Sequence, residues 1–161
     1  QSNQTSWIYS FIGRHIFSKD RAGIIIKQHK IDIKKLESFW EWTLKNIEDK
    51  KILAGFGFWV NPNEEVIKDK KLAKRMAETL EKSEGGIDWE YGLFKRLPVL
   101  AEANKEDVLE IIKYYFLDKN GKTLNGNNRS YETVPIYKEE IKRAIKTIYE
   151  DEEQKEKVIE L

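Results

Sequence analysis

A glycine, a lysine and a threonine occupy positions 121–123, and this is the order of residues that ends a phosphate-binding loop. They belong to the polar stretch DKNGKTLNGNNRSY, residues 118–131. A Walker-type loop needs another glycine five positions before the one that precedes the lysine, and it needs a strand in front of the loop. Here that position is Phe116, at the end of an amphipathic helix pattern. We therefore interpret residues 118–131 as a connector between helices and predict no bound nucleotide.

Other residue types that carry chemistry are sparse. The chain has no cysteine, which excludes a disulfide scaffold, a thiol nucleophile and a Cys-ligated zinc site. Its two histidines, His15 and His29, lie far apart in the sequence, and neither belongs to a Glu-x-x-His pair of a di-metal bundle. No register of residues 118–131 supplies the acidic ligands of a calcium loop. We predict no catalytic residue, cofactor or metal site, and hence no enzyme.

Positive side chains are concentrated on one predicted helix. Five of them lie on or beside one face: Lys68, Lys70, Lys71, Lys74 and Arg75. Such a face could track the phosphates of a nucleic acid. However, Glu65 and Asp69 are spaced to pair with these cations, and no aromatic residue is interleaved for base stacking. We favour a solvated helix face and keep nucleic-acid binding as the alternative.

The composition is that of one globular domain. The chain has 161 residues, of which 40% are apolar and 12% aromatic, enough to build a core. Its net charge of +1 argues against a general polyanion binder. No apolar run approaches the roughly 20 residues of a membrane span and no signal peptide is visible, so we expect a cytoplasmic protein with no membrane partner. Residues 1–3 resemble a tag-cleavage remnant, and we expect one domain over 4–161, excised from a larger protein.

Apolar residues recur at three- and four-residue steps along most of the chain, which predicts about seven to nine helices. The first helix should bury a stripe made of Trp7, Ile8, Phe11, Ile12, His15 and Ile16. Residues 22–31, AGIIIKQHKI, suit either a buried helix or a buried strand, and we favour the helix because no strand partner is apparent. Residues 52–60, ILAGFGFWV, are apolar almost all round, and their two glycines are expected where a neighbouring helix packs close.

Capping residues predict several helix boundaries. Asn61 followed by Pro62 predicts a helix start that continues to about Lys82. Asn104, three residues before Asp107, predicts another helix start.

Two further boundaries depend on acidic and proline residues. Asp88 is predicted to cap a helix that turns Trp89 inward, and Pro98 is predicted to kink or end it. Pro135 is predicted to open the helix that follows the connector, and a last short helix is predicted from about Glu152.

Helices of this length with short links predict an all-α fold of stacked antiparallel helix pairs, a degenerate HEAT/armadillo-like superhelix. We predict that more than half of the residues are helical. We also predict a buried core that includes Trp40, Phe56, Trp59, Leu97, Ile112 and Ile145.

A cluster Gly-Phe-Gly-Phe-Trp and a long loop before Pro135 mark residues 52–161. In these features and its apolar spacing, the segment resembles the C-terminal HEAT/armadillo-like helical region of large bacterial multidomain proteins. Those proteins carry a sirtuin-like or STAND-type nucleoside-triphosphatase domain upstream. The resemblance implies a helical-repeat accessory region in a defence or sensing protein, and it transfers no functional residues.

Together these observations predict a non-catalytic interaction or scaffold module within a larger cytoplasmic protein. Its partner is expected to be another protein or other domains of the same chain. The alternative is a nucleic-acid-binding helical domain that uses the face from Lys68 to Arg75.

Overall fold

The computed structural model describes residues 8–17, 21–116 and 136–151. Helix accounts for 77% of these residues and no strand occurs among them, so the prediction of an all-α fold is confirmed. The predicted connector at 118–131, with its Gly-Lys-Thr triplet, lies outside the described residues, as do Pro135 and Glu152.

Eight helices are seen in the described ranges. The first, α1, is α-helical at residues 8–12 and π-helical at Gly13–Phe17. The others are α2 (Ala22–Gln28), α3 (Ile33–Asn46), α4 (Lys50–Ala54), α5 (Asp69–Lys82), α6 (Glu90–Ala103), α7 (Lys105–Phe116) and α8 (Lys138–Tyr149). A 3₁₀ turn, Gly55–Trp59, continues α4. Residues 22–31 are therefore helical over most of their length, as favoured from the sequence.

Three helices run side by side in the same direction. Along α3 and α5, ion pairs join Glu37 to Lys71 and Glu41 to Arg75, so partners advance together along both helices. Helices α5 and α7 are parallel as well. The charge of Lys74, in the middle of α5, acts on Asp107 near the start of α7, and Gly85, just after α5, lies against Tyr114 near the end of α7. Helices α3, α5 and α7 thus form one parallel layer.

Helices α6 and α8 form a second layer that runs the opposite way. The ring of Phe94, early in α6, packs on Tyr115, late in α7, so these two helices are antiparallel. The starts of α6 and α8 meet through Phe94 and Tyr137. Their ends also lie close together, since Lys105, two residues after α6, forms an ion pair with Asp151, two residues after α8. Five of the eight helices thus form two layers with opposed directions.

Aromatic side chains dominate the core between α1, α3 and the 3₁₀ turn. Trp40, Phe56 and Trp59 are fully buried or nearly so, and the ring of Trp40 stacks on that of Phe56 at 4.6 Å between centroids. Leu97 and Ile112 are also buried as predicted, whereas Ile145 is half-buried at the edge of the core. The predicted core is confirmed except at that position.

The glycine at position 57 is required by a close backbone approach. A Cβ atom built there would lie 1.7 Å from the carbonyl oxygen of Asp88, which no side chain can tolerate. Gly13 is similar, since a Cβ would lie 2.3 Å from the Cβ of Phe58. The expectation of close packing at Gly57 is confirmed, although its neighbour is the segment before α6 and not a helix.

Helix α1 buries a face that differs in part from the predicted one. Tyr9, Gly13 and Phe17 point inward, and the indole N–H of Trp59 donates to the carbonyl oxygen of Tyr9 at 3.0 Å. Ile8 and Phe11 are exposed. His15 is exposed as well, whereas Ile12 and Ile16 are half-buried against the core, so the predicted stripe is confirmed in part, and Trp7 lies outside the described residues. The three fully buried residues are spaced four apart, a pattern that the isoleucines and Phe11 conceal.

Two predicted boundaries on either side of α5 are also wrong. Asn61 does accept hydrogen bonds from the backbone N–H groups of residues 63 and 64, but it closes a short turn and α5 begins only at Asp69. Pro98 does not end α6, which continues to Ala103. Pro98 is buried, as are Leu97 before it and Leu100 and Ala101 after it, and this burial outweighs the lost hydrogen bond. Asn104 caps α7 as predicted, accepting from the N–H of Asp107 at 3.2 Å.

Candidate functional site

The cationic face predicted on α5 is largely occupied by ion pairs. Lys68 Nζ lies 2.8 Å from a carboxylate oxygen of Glu65, and Lys71 Nζ lies 2.9 Å from one of Glu37. Arg75 is shared between two carboxylates, one on α3 and one on α5, at 2.8 and 2.7 Å. Lys71 and Arg75 join α5 to α3, whereas Lys68 pairs within the segment that precedes α5. The three cations therefore present little unpaired positive charge to a ligand.

Two of the predicted cations remain outward-facing. Lys70 and Lys74 are exposed, and neither forms an ion pair within the part of the chain that the structure describes. They lie four residues apart on one side of α5, which is a small positive patch compared with the five-residue face expected from the sequence.

Asp69 was expected to pair with the lysines of α5, and it does not form an ion pair with them. It is buried, and its two carboxylate oxygens accept from Nε and a terminal nitrogen of Arg96 at 2.7 and 2.9 Å. The arrangement is a bidentate pair between α5 and α6, in which both side chains are about nine-tenths buried. Asp69 therefore joins the two layers and forms no ion pair with the lysines of α5 among the described residues.

Hydrogen bonds shift the pKa values of several charged groups on the α5 face. The pKa of Glu65 is lowered by its hydrogen bond from Lys68, and the pKa of Lys68 is raised by the same bond. The pKa of Glu41 is lowered first by a hydrogen bond from Lys45 and next by the charge of Arg75. Each shift favours the charged form of its group, so these side chains are charged at neutral pH.

A second surface feature was not predicted: a row of aromatic rings across the start of α6. The rings of Phe58, Trp89, Tyr91 and Tyr137 follow one another at centroid separations of 5.9, 5.5 and 6.5 Å. Trp89 and Tyr91 are 46% and 40% exposed, and Ile136, beside the last ring, is 69% exposed. We call the four rings the aromatic ridge. Exposed aromatic residues are enriched at protein interfaces.

Trp89, at the centre of the ridge, has an unfavourable backbone conformation. Its φ is +57° and its ψ +58°, in the left-handed region that a bulky side chain rarely adopts. The preceding N–H, that of Asp88, donates to the carbonyl oxygen of Ala54 at 2.8 Å, and the carbonyl of Asp88 lies against Gly57. This docking of the chain on the 3₁₀ turn directs the Trp89 side chain outward, contrary to the inward position predicted from the sequence.

The tryptophans differ in how their indole N–H groups are used. Those of Trp40 and Trp59 donate inside the core, each at 3.0 Å, to the Thr79 hydroxyl and the Tyr9 carbonyl. The indole of Trp89 makes no hydrogen bond to the described residues. Its N–H group is therefore available to an acceptor on a partner.

Charged groups of both signs flank the ridge. At one end the guanidinium carbon of Arg14 lies 4.4 Å from the centroid of the Phe58 ring. At the other end Lys95 forms an ion pair with Glu140. Burial raises the pKa of the Tyr137 phenol, and the nearby carboxylate of Glu90 raises it further. The Tyr137 end of the ridge is thus held beside carboxylates.

One local sequence feature indicates the ridge, although helical periodicity does not reveal it. Trp89, Glu90 and Tyr91 form a Trp-x-Tyr pair at the first residues of a helix, immediately after the Gly-Gly-Ile-Asp link. Two aromatic residues two positions apart in a helix cannot both point into the same core. That conflict predicts that at least one of the two rings faces away from the core.

Within the described ranges, no group of three or more histidine, cysteine, aspartate or glutamate side chains could hold a metal ion. No described helix is long and apolar enough to cross a bilayer. No protein-family model matches the chain, and neither a curated protein nor a solved structure shows significant similarity to it. The two surfaces described above are the features of the chain that bear on its function.

Proposed function

We propose that this chain is a non-catalytic helical interaction module, which binds a protein partner or another domain of a larger protein through the aromatic ridge. The observation that carries the proposal is Trp89, an exposed aromatic residue in a strained backbone conformation. Strain of this kind amounts to about 1–3 kcal/mol and is concentrated at functional sites. Glycine at this position would avoid it, and the tryptophan ring is only about half covered by the folded domain.

The proposed architecture is a stack of helical hairpins in the HEAT/armadillo manner. Its support is the parallel layer of α3, α5 and α7 against the opposed layer of α6 and α8. Successive hairpins in such a stack place every second helix in the same layer. The ridge then lies at one end of the α6–α8 layer, where both helices begin, and a partner could contact both helix starts.

The stability of a Trp89→Gly variant tests whether the ridge is maintained for binding. Glycine relieves the left-handed strain, while loss of the stacked ring removes about 0.5–1.5 kcal/mol of aromatic contact in addition to partial burial. These effects nearly cancel, so we expect the free energy of unfolding in urea to change by less than about 1 kcal/mol. A loss of several kcal/mol would show that Trp89 is a structural residue, and the proposed function would lose its main support.

Nucleic-acid binding by the α5 face remains the alternative, and only Lys70 and Lys74 favour it. We expect the protein to bind short duplex DNA or RNA no more tightly than about 1 µM at physiological salt, the range of weak non-specific binding. Fluorescence anisotropy over a salt titration measures this. A charge-matched control is the double reversal Lys142→Glu with Lys146→Glu on α8. Submicromolar, salt-sensitive binding that is lost in Lys70→Glu with Lys74→Glu, but kept in the control, would establish the alternative instead.

A further inference from the structure

One ring of the aromatic ridge already binds a guanidinium group. The guanidinium carbon of Arg14 lies 4.4 Å from the Phe58 centroid, within the distance at which the negative face of a ring attracts a cation. Phe58 itself is only 7% exposed, so this face is used inside the molecule. The next two rings, Trp89 and Tyr91, continue the same row and are far more exposed.

The charges near the exposed rings complement a cation. Asp88 and Glu90 directly flank Trp89 in the chain, and Asp88 is exposed, whereas Glu90 is half-buried with its Oε1 atom inside the fold. Lys95, the nearest cation on α6, is engaged by Glu140. A cation, Arg14, also lies at the Phe58 end of the ridge. At Trp89 and Tyr91, a positively charged group meets two ring faces and the exposed carboxylate of Asp88, whereas a phosphate backbone would meet like charge at Asp88.

The ridge also offers hydrogen-bond donors. The indole N–H of Trp89 and the phenol of Tyr91 make no hydrogen bond to the described residues. An extended peptide exposes backbone carbonyl groups that have no internal partner. The two hydrogen-bond donors and the two ring faces of Trp89 and Tyr91 therefore suit an extended peptide segment. Such a segment presents backbone carbonyl groups to the donors and planar cationic side chains to the rings.

We propose that the aromatic ridge binds an extended, arginine-bearing segment of a protein partner, with guanidinium groups stacked on Trp89 and Tyr91 as Arg14 is stacked on Phe58. This inference rests on the proposed interaction function and adds the chemistry of the partner. Arginine is preferred over lysine because its planar, weakly hydrated guanidinium stacks on an aromatic face while its N–H groups remain free for carboxylates.

The test uses a fluorescein-labelled peptide of Gly-Ser-Arg repeats, with Gly-Ser-Lys and Gly-Ser-Glu repeats of equal length as probes of charge. We expect the arginine peptide to bind most tightly, the lysine peptide more weakly and the glutamate peptide least. Trp89→Gly should weaken arginine-peptide binding about tenfold, which corresponds to a contribution of about 1.4 kcal/mol. Trp42→Ala is the matched control, because Trp42 is an exposed tryptophan on α3, 53% accessible, and should leave binding unchanged.

Three outcomes would overturn the proposal: equal binding of the arginine and lysine peptides, equal binding of the arginine and glutamate peptides, or unaltered binding by Trp89→Gly. Tyr91→Ala, on the surface of α6, provides a second ridge variant with the same expected loss of binding, and it decides the matter should Trp89→Gly not fold. Failure of the peptide test contradicts the partner chemistry alone. The interaction function itself is tested separately by the urea stability of Trp89→Gly.

Discussion

Replacing Trp59 with alanine is expected to lower the free energy of unfolding by about 3–5 kcal/mol, as truncation of a large buried aromatic side chain does. Trp59 is 1% exposed and stacks on Phe17 at 4.8 Å between ring centroids. Its indole N–H also donates to the carbonyl oxygen of Tyr9, so truncation leaves a buried acceptor without its donor. Equilibrium urea unfolding, followed by circular dichroism, measures the effect.

Trp42→Ala is the control for this prediction. Trp42 has the same side chain, but more than half of it is exposed on α3, so its truncation should cost less than about 1 kcal/mol. The comparison separates core packing from the general effect of removing a tryptophan. Similar losses for the two variants would contradict the assignment of Trp59 to the core.

The burial of Trp59 could be predicted from the sequence because it depends on local apolar density. Residues 52–60 are apolar almost all round, and such a segment has to be covered on most sides. The same reasoning correctly gave Trp40, Phe56 and the all-α class. Periodicity identifies side chains that must be buried, whichever neighbours bury them.

The position of Trp89 could not be predicted in this way. Its outward direction depends on a positive φ, and that φ follows from the docking of Asp88 on Ala54 and Gly57. This contact joins residues more than 30 positions apart, and no local pattern encodes it. Pro98 illustrates the same limit, since burial of α6 on several sides overrides a residue that ends most helices.

The cationic face on α5 was predicted with one correct partner, Glu65 for Lys68, and with partners missed for Lys71 and Arg75. Helical spacing placed Lys68, Lys71 and Arg75 on one surface, but the acidic residues that neutralise two of them lie on α3. Because α3 and α5 are parallel neighbours, these pairs form between helices and escape any search within one helix. The face from Lys68 to Arg75 therefore carries less unpaired positive charge than its five cations indicate.

The second large effect is expected at Asp69. This residue is buried against Arg96, and not on the surface beside the lysines of α5 as the sequence predicted. Asp69→Ala is expected to lower the free energy of unfolding by about 3–5 kcal/mol, since it leaves a buried guanidinium without its counter-charge. The pair is bidentate, and no second carboxylate lies within ion-pair distance of Arg96 among the described residues. Chemical unfolding of the variant and the parent measures the loss.

A matched control is available at the start of another helix. Glu139 is also an acidic residue in the first turn of its helix, α8, and it pairs with Lys142 at 3.3 Å. The side chains of Glu139 and Lys142 are both more than half exposed. Because exposed ion pairs contribute little, Glu139→Ala should lower the free energy of unfolding much less than Asp69→Ala. Equal losses for Asp69→Ala and Glu139→Ala would contradict a special role for burial.

A double-mutant cycle then distinguishes a buried ion pair from two independent packing residues. Arg96→Leu alone leaves the Asp69 carboxylate buried and unpaired, so it should also be strongly destabilising. The double variant Asp69→Ala with Arg96→Leu buries no unpaired charge, and its loss should be smaller than the sum of the single losses by about 1–3 kcal/mol. Additive losses would show that the two side chains stabilise the junction of α5 and α6 by packing alone. A coupling in the expected range would establish the charge pair as the contact that holds the two layers in register.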